Sequence, residues 1–137
     1  MLIQFVRDNL LLFAVAIVSG AMLLWPMLRR GGGASSVTTL QATQMMNRQD
    51  AVLIDVREDA EYANGRIIGA RHVPLSQLDS RARELQKHKS KPLIAYCETG
   101  TRSAGAIAIL RKHGFENVFN LSGGFAAWQQ AGLPVEK

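Results

Sequence analysis

A single cysteine, Cys97, occurs in the 137 residues, which excludes an intrachain disulfide framework and any site built from several thiolates. The three histidines, His72, His88 and His113, are scattered and share no metal-ligand spacing with it. Aromatic residues make up only 7% of the chain and do not interleave with basic ones, so nucleic-acid binding is not expected despite a net charge of +5. Charge is absent altogether from residues 10–28. Beyond that segment the balance is close to even, with 13 basic against 10 acidic residues from Ala34 onward. The length suits one domain of roughly 100–150 residues.

The uncharged run is what the chain has instead. Leu10–Leu28 is built of Leu, Phe, Ala, Val, Ile, Met and Trp with one Ser, one Gly and one Pro. As a helix it would span about 28 Å, enough for a bilayer. A secretory signal would have a shorter apolar region leading to a small-residue cleavage site, whereas this run ends in Arg29-Arg30. The expectation is therefore an uncleaved single-pass anchor at residues 10–28, preceded by a flank at 1–9, with Trp25 near the interface. Arg29 and Arg30 against an Arg7 offset by Asp8 predict the N-terminus outside and the C-terminal domain in the cytoplasm. A basic and Gly-rich linker, 29–35, then leads into a domain at 36–137, the flexible polar stretch Gly31–Ser36 straddling the boundary.

Within that domain, Ala51–Val56 and Pro92–Tyr96 are short apolar runs of the kind found in strands covered on both faces. Weaker strand signals lie at Val37–Thr38, Arg71–Val73 and Asn117–Asn120. Helical spacing appears at Leu40–Asn47, Ser76–Lys87, Arg102–His113 and Gly124–Ala131. Alternating strands and helices predict an open α/β domain with a parallel sheet, whose ligands sit outside the carboxyl ends of the strands.

Cys97 stands at the end of one such strand. The stretch PLIAY-CETGTR-SAGAIAIL runs from a buried strand through a short loop with Gly100 to a helix starting near Arg102. Loop amides of Glu98, Thr99, Gly100, Thr101 and Arg102, a helix N-terminus and the Arg102 charge all favour an anion there. A thiol in that position is predicted to be nucleophilic near neutral pH. An inert core cysteine is the competing reading, but it leaves the Gly, Arg and Ser that follow without a purpose.

Strand, Cys, short Gly loop, Arg-Ser and helix together resemble the persulfide loop of the rhodanese family. Asp55-Val56-Arg57-Glu58, then Glu61-Tyr62 and the stretch Gly65–Pro74, is similar to that family's first signature. Leu121-Ser122-Gly123-Gly124 with Trp128 and Leu133-Pro134-Val135 resembles its last, so the match covers about residues 36–135. One such domain behind a single apolar helix also looks like the membrane-anchored bacterial members. The resemblance implies a doubly wound sheet of about five parallel strands and sulfurtransferase activity of the thiosulfate:cyanide kind, with no metal or organic cofactor. Cys97 would take sulfur from thiosulfate or another persulfide donor and pass it to a thiophilic acceptor, with the Glu98–Arg102 loop as the anion cradle. Asp55 and Arg57 would brace the architecture. Glu98 departs from a purely cationic rim and is expected to disfavour dianionic thiosulfate relative to a neutral or protein persulfide.

Two other functions remain open. A Cys-dependent phosphatase needs five residues between Cys and Arg, and only four intervene here. A non-catalytic membrane-anchored docking module on the same fold would not need Cys97. The remaining residues have plain readings: His72 as a turn residue, His88 and His113 at helix ends, Phe115, Phe119, Phe125 and Trp128 as core, and Gly123-Gly124 as the turn into the last helix.

Overall fold

The computed structural model describes residues 1–31 and 35–137, which divide into two compact units, Met1–Gly33 and Ala34–Lys137. The first holds α1 (Leu2–Asp8) and α2 (Leu10–Gly31). They are separated at Asn9, whose side-chain Nδ2 and backbone N–H both donate to the Phe5 carbonyl, 2.9 and 3.1 Å away. By competing for a helical carbonyl, Asn9 closes α1 and lets the chain turn. The expected single span over 10–28 is not met as such. Among the described residues no single helix is long and apolar enough to cross a membrane, and Leu2–Asp8 with Leu10–Trp25 qualify only together, bent by 80°. The linker expected at 29–35 falls in part on residues 32–34, outside the described ones; its last residue, Ser35, already belongs to the first strand.

The second unit runs β1 (Ser35–Val37), α3 (Thr39–Gln49), β2 (Val52–Asp55), α4 (Asp59–Ala63), β3 (Arg66–Ile67), β4 (Arg71–His72) and α5 (Leu75–Arg81). After a 3₁₀ stretch at Ala82–His88 come β5 (Leu93–Tyr96), α6 (Thr101–Lys112), β6 (Val118–Leu121), α7 (Gly124–Gln130) and β7 (Val135–Glu136). Five strands form one parallel sheet in the order β1-β6-β5-β2-β4, as the α/β reading expects. A small antiparallel ribbon of β3 and β7, Arg66 against Glu136 and Ile67 against Val135, lies outside that sheet and was not foreseen, because two-residue strands leave no periodicity to read.

Alternation along the central strands splits the core in two. Ile54, Leu93 and Ala95 point to the face covered by Leu78, Leu85, Ala106, Ile107 and Leu110. Leu53, Ile94 and Tyr96 point to the opposite face, under Ala42, Phe125 and Trp128. Full burial of such apolar side chains contributes about 1.5–3 kcal/mol each, which is why the middle strands contain almost nothing else. The helix expected over Ser76–Lys87 changes character halfway. Ala82, Leu85 and His88 are all buried at intervals of three residues, a spacing that a 3₁₀ helix stacks in line and that drifts by about 60° per step around an α-helix. The buried His88 also corrects its reading as a charged helix end: burial foremost, then Arg71, Lys87 and Lys91, push its imidazole below the usual value.

Candidate active site at the end of the central strand

The middle strand, β5, ends at Tyr96 and makes Cys97 the first residue beyond it. Because successive side chains alternate, Tyr96 enters the α3/α7 face and Cys97 the α5/α6 face. Cys97 is 1% exposed. Its Sγ accepts a hydrogen bond from the Gly100 N–H at 3.0 Å and lies 3.4 Å from the Ser103 hydroxyl. Burial pushes the thiol up, but hydrogen bonds from the Ser103 hydroxyl and from the backbone at Ser103, Thr99 and Gly100 together hold it below the ordinary cysteine value. Several donors are thus aimed at one sulfur, where the sequence places the expected nucleophile.

Two glycines make that loop possible. Gly100 precedes α6 with φ 95°, and a Cβ there would press on the Leu121 carbonyl at 3.3 Å and the Gly123 amide at 3.4 Å. Gly124, with φ 59°, comes closer still: a Cβ would stand 2.3 Å from the Cys97 carbonyl oxygen. That approach allows the amides of Phe125 and Ala126 to bond the Cys97 and Glu98 carbonyls at 2.8 and 3.0 Å, so α7 holds the loop from behind. Gly124→Ala is expected to cost about 2 kcal/mol or more, from steric overlap added to an unfavourable backbone conformation. Gly69→Ala, at φ 76° in open space, loses only the conformational part. Paired urea titrations check the difference; equal losses would show that the close approach is unimportant.

The other residues expected at the site are placed as follows. Glu98 turns its carboxylate to Arg57, 3.3 Å away, so its charge is shared and does not face the sulfur alone. Thr99 and Thr101 present their hydroxyls to each other at 3.4 Å on the exposed rim. Arg102 donates two 2.8 Å hydrogen bonds to both carboxylate oxygens of Glu61 on α4, a paired cation where the sequence suggested a free one. Asp55 and Arg57 form a buried bracket, 0% and 2% exposed. Arg57 Nε and Nη2 donate to Asp55, Nη2 also reaches the Gly65 carbonyl at 2.6 Å, and the guanidinium lies over the Phe125 ring at 4.3 Å. Tyr96 adds a hydroxyl hydrogen bond to Asp55 at 2.9 Å.

Glu61, Ser103 and Asn120 belong to the site although none was singled out as functional from the sequence. Glu58 and Glu61 could have been found by their capping-box spacing at the start of α4. The Arg102 guanidinium holds the Glu61 carboxyl at about 2, well below the usual carboxylate range. Since the folded value is depressed, Glu61 contributes stability that is present above about 4.5 and is lost as pH falls toward about 2. Both side chains are a third or more exposed, so water screens much of this effect. Glu61→Gln is expected to flatten the acid limb of a stability-versus-pH curve between about pH 5 and 2 without moving the plateau near pH 7 by more than about 1 kcal/mol. An unchanged acid limb would mean the pair contributes nothing.

His72 stacks on Tyr62 at 4.2 Å and donates from Nε2 to the Arg57 carbonyl; it is a structural residue, but it ends strand β4 where a turn was expected. His113 caps α6 and meets Asp79 at 2.6 Å. Among the described residues no group of three His, Cys, Asp or Glu side chains is placed to hold a metal.

Comparison with known proteins gives the family. The chain is 47% identical over 78 residues to an uncharacterized protein of Bacillus subtilis, covering 57% of this chain and 60% of that protein. It is 36% identical over 92 residues to a protein of Allochromatium vinosum named a sulfurtransferase, covering 67% of this chain and 84% of that one. A crystal structure of a rhodanese-related protein from Thermoplasma volcanium superposes with a TM-score of 0.67 at 27% identity, over 74% of this chain and 97% of that one. The rhodanese-like domain profile matches residues 38–131, which hold the Asp55–Arg57 bracket, the Cys97 loop and the Gly124 clamp alike; the chain belongs to the rhodanese-like domain family.

Proposed function

We propose that the protein is a sulfurtransferase that carries sulfane sulfur on Cys97. The observation that carries this reading is the Sγ atom set against the Gly100 amide and the Ser103 hydroxyl, at the mouth of a parallel sheet and the start of α6. The thiolate attacks the outer sulfur of a donor such as thiosulfate. An Sγ–S bond forms, the donor's S–S bond breaks, and sulfite leaves with the electron pair. The Cys97 persulfide then yields its outer sulfur to a thiophilic acceptor, cyanide or a thiol, and Cys97 departs as thiolate. Four residues between Cys97 and Arg102 make a small cradle, suited to one sulfur atom more than to a tetrahedral phosphate. Intact mass spectrometry of the purified protein after exposure to thiosulfate or a low-molecular-weight persulfide tests the reading: one added sulfur that cyanide removes supports it. An unchanged mass with both donors would leave the docking-module reading in its place.

The charges at the rim bear on the donor. Both cations near the loop are engaged by carboxylates, Arg57 by Asp55 and Glu98, Arg102 by Glu61. A dianion finds no uncompensated cation among these groups, whereas a neutral or protein persulfide needs none. Glu98→Gln is therefore expected to raise turnover with thiosulfate several-fold and to leave a neutral persulfide donor unchanged, since the Coulomb energy scales with the product of charges and reaches ~1 kcal/mol even at high dielectric. The gain should shrink in high salt. Kinetics with both donors at two ionic strengths decide it; equal gains for both would move the effect from donor charge to the thiol itself.

We further propose that residues 10–28 attach the domain to a bacterial inner membrane, N-terminus outside and catalytic domain in the cytoplasm. Leu10, Leu11, Leu12, Leu23, Leu24 and Trp25 are more than half exposed along α2, an apolar surface that water would not favour. Arg29-Arg30 supports the orientation. Protease added outside spheroplasts should spare the domain, and digestion there without lysis would reverse the topology.

A further inference from the structure

Ser103 and Asn120 lie behind the sulfur, 0% and 8% exposed, and carry no role in the scheme above beyond the hydrogen bond to Sγ. Ser103 sits in the first turn of α6 and Asn120 in β6, next to the strand that delivers Cys97. The Ser103 hydroxyl is within hydrogen-bonding distance of two acceptors, Cys97 Sγ and Asn120 Oδ1. A hydroxyl has one proton, so it can donate to only one of them fully. Asn120 is not free to turn, because its Nδ2 donates to the Gly100 carbonyl at 3.0 Å and so directs Oδ1 toward Ser103.

We infer that Asn120 is a positioning residue for sulfur transfer: its Oδ1 holds the Ser103 proton whenever Sγ is uncharged and yields it to Sγ when Sγ is a thiolate. The inference rests on the persulfide chemistry proposed above and adds the device that follows its charge. In the free thiolate the negative charge is on Sγ, and the Ser103 O–H points there beside the Gly100 amide. Once the outer sulfur is bound, the charge resides on that outer atom and Sγ is a neutral thioether-like sulfur. The Ser103 proton then returns to Asn120 Oδ1, and no buried hydroxyl is left without an acceptor. When the acceptor attacks the outer sulfur, charge builds on the departing Sγ and the proton swings back. Ser103 touches the reacting atom and is a catalytic residue in this scheme; Asn120 acts through it. Asn120 accordingly favours the two states in which Sγ is neutral, the thiol and the persulfide, over the bare thiolate.

Removing Oδ1 deprives the thiol form of its Ser103–Asn120 hydrogen bond and leaves the thiolate form's Ser103–Sγ bond in place, so the thiol should become more acidic. The charged groups at this end of the sheet, Arg57, Asp55 and Glu98 at the ends of β2 and β5, Arg102 on α6 and Glu61 on α4, are unchanged by the substitution. A double-mutant cycle isolates the relay from any loosening of the Gly100 carbonyl. The pH dependence of Cys97 alkylation by iodoacetamide is measured in the full chain for wild type, Asn120→Leu, Ser103→Ala and the double variant. Asn120→Leu should lower the titration midpoint by about 0.5–1 pH unit in the presence of Ser103 and leave it unmoved in the Ser103→Ala background.

Asn120→Asp, close in shape, keeps an acceptor and adds a negative charge, and should raise the midpoint; it also serves if the Leu variant does not fold. At a fixed ratio of thiosulfate to sulfite, the fraction of Asn120→Leu carrying sulfur should fall several-fold relative to wild type. Equal midpoint shifts in both backgrounds would overturn the inference by showing that Asn120 acts through the loop alone, as would a downward shift in Asn120→Asp. The alkylation cycle requires no sulfur donor, so it decides the relay even if wild type takes up no sulfur, an outcome that would sink the sulfurtransferase reading and not the hydrogen-bond switch.

Discussion

Cys97→Ser should gain no sulfur from either thiosulfate or a persulfide, and sulfur transfer should fall by more than about 1,000-fold, to the level of the solution reaction. The reason is chemical and local. An alkoxide is not formed at this position near neutral pH, and serine has no sulfur-sulfur bond to make. Folding should survive the change. The side chain is 1% exposed and nearly isosteric, and the Gly100 amide and Ser103 hydroxyl can both address an oxygen in place of the sulfur. Intact mass before and after donor treatment, with near-ultraviolet circular dichroism as the check on packing, separates the two effects. Sulfur uptake by Cys97→Ser equal to wild type would remove Cys97 from the mechanism, since it is the only cysteine in the chain.

The largest loss of stability is expected from Arg57→Ala. Asp55 is wholly buried and receives three side-chain hydrogen bonds from Arg57 and one from the Tyr96 hydroxyl. Removing the guanidinium leaves a carboxylate in the sheet interior with a tyrosine and one backbone amide as partners, and breaking a buried pair from one side typically costs about 3–5 kcal/mol. Further losses accumulate at the Gly65 carbonyl, at the Phe125 ring beneath the cation and at Glu98, which is then free to swing on the loop. Urea unfolding should show the midpoint falling with little change in slope. Removing both charges, as in Asp55→Asn with Arg57→Met, should recover part of the loss, because no unpaired ion is then buried. A loss under about 1 kcal/mol for Arg57→Ala would mean that water reaches Asp55 and that the bracket is not what braces the loop. The bracket also bears on catalysis, since Arg57 is the residue through which the β2 end holds Glu98 next to Cys97.

Much of the domain is legible without coordinates, for reasons that lie in single segments. The runs at Ala51–Val56 and Pro92–Tyr96 have the short, apolar, β-branched character of strands covered on both sides, and they are β2 and β5 at the middle of the sheet. Cys97 with Gly100 after it signals a short loop before a helix, and Gly100 at φ 95° takes a conformation that glycine leaves open. Boundaries drifted by a residue or two where fraying and capping decide, as in Thr39–Gln49 for an expected 40–47. The 3₁₀ stretch at Ala82–His88 was misread because helical spacing in sequence does not distinguish three from 3.6 residues per turn over so short a run.

Hydrophobic period and turn chemistry are local properties, and they suffice for the α/β fold class and for a tight glycine loop that begins at a lone thiol. What surrounds that thiol depends on which strand ends the sheet brings together. Glu61 and Arg102 are 41 positions apart, Ser103 and Asn120 are 17 apart, and Glu98 meets Arg57 across another 41. They come together because β2, β5 and β6 run parallel and adjacent, so their carboxyl ends, and whatever follows them in sequence, open at one edge of the sheet. Whether a charge near the sulfur is free or paired is settled by that convergence, which no spacing along the chain expresses.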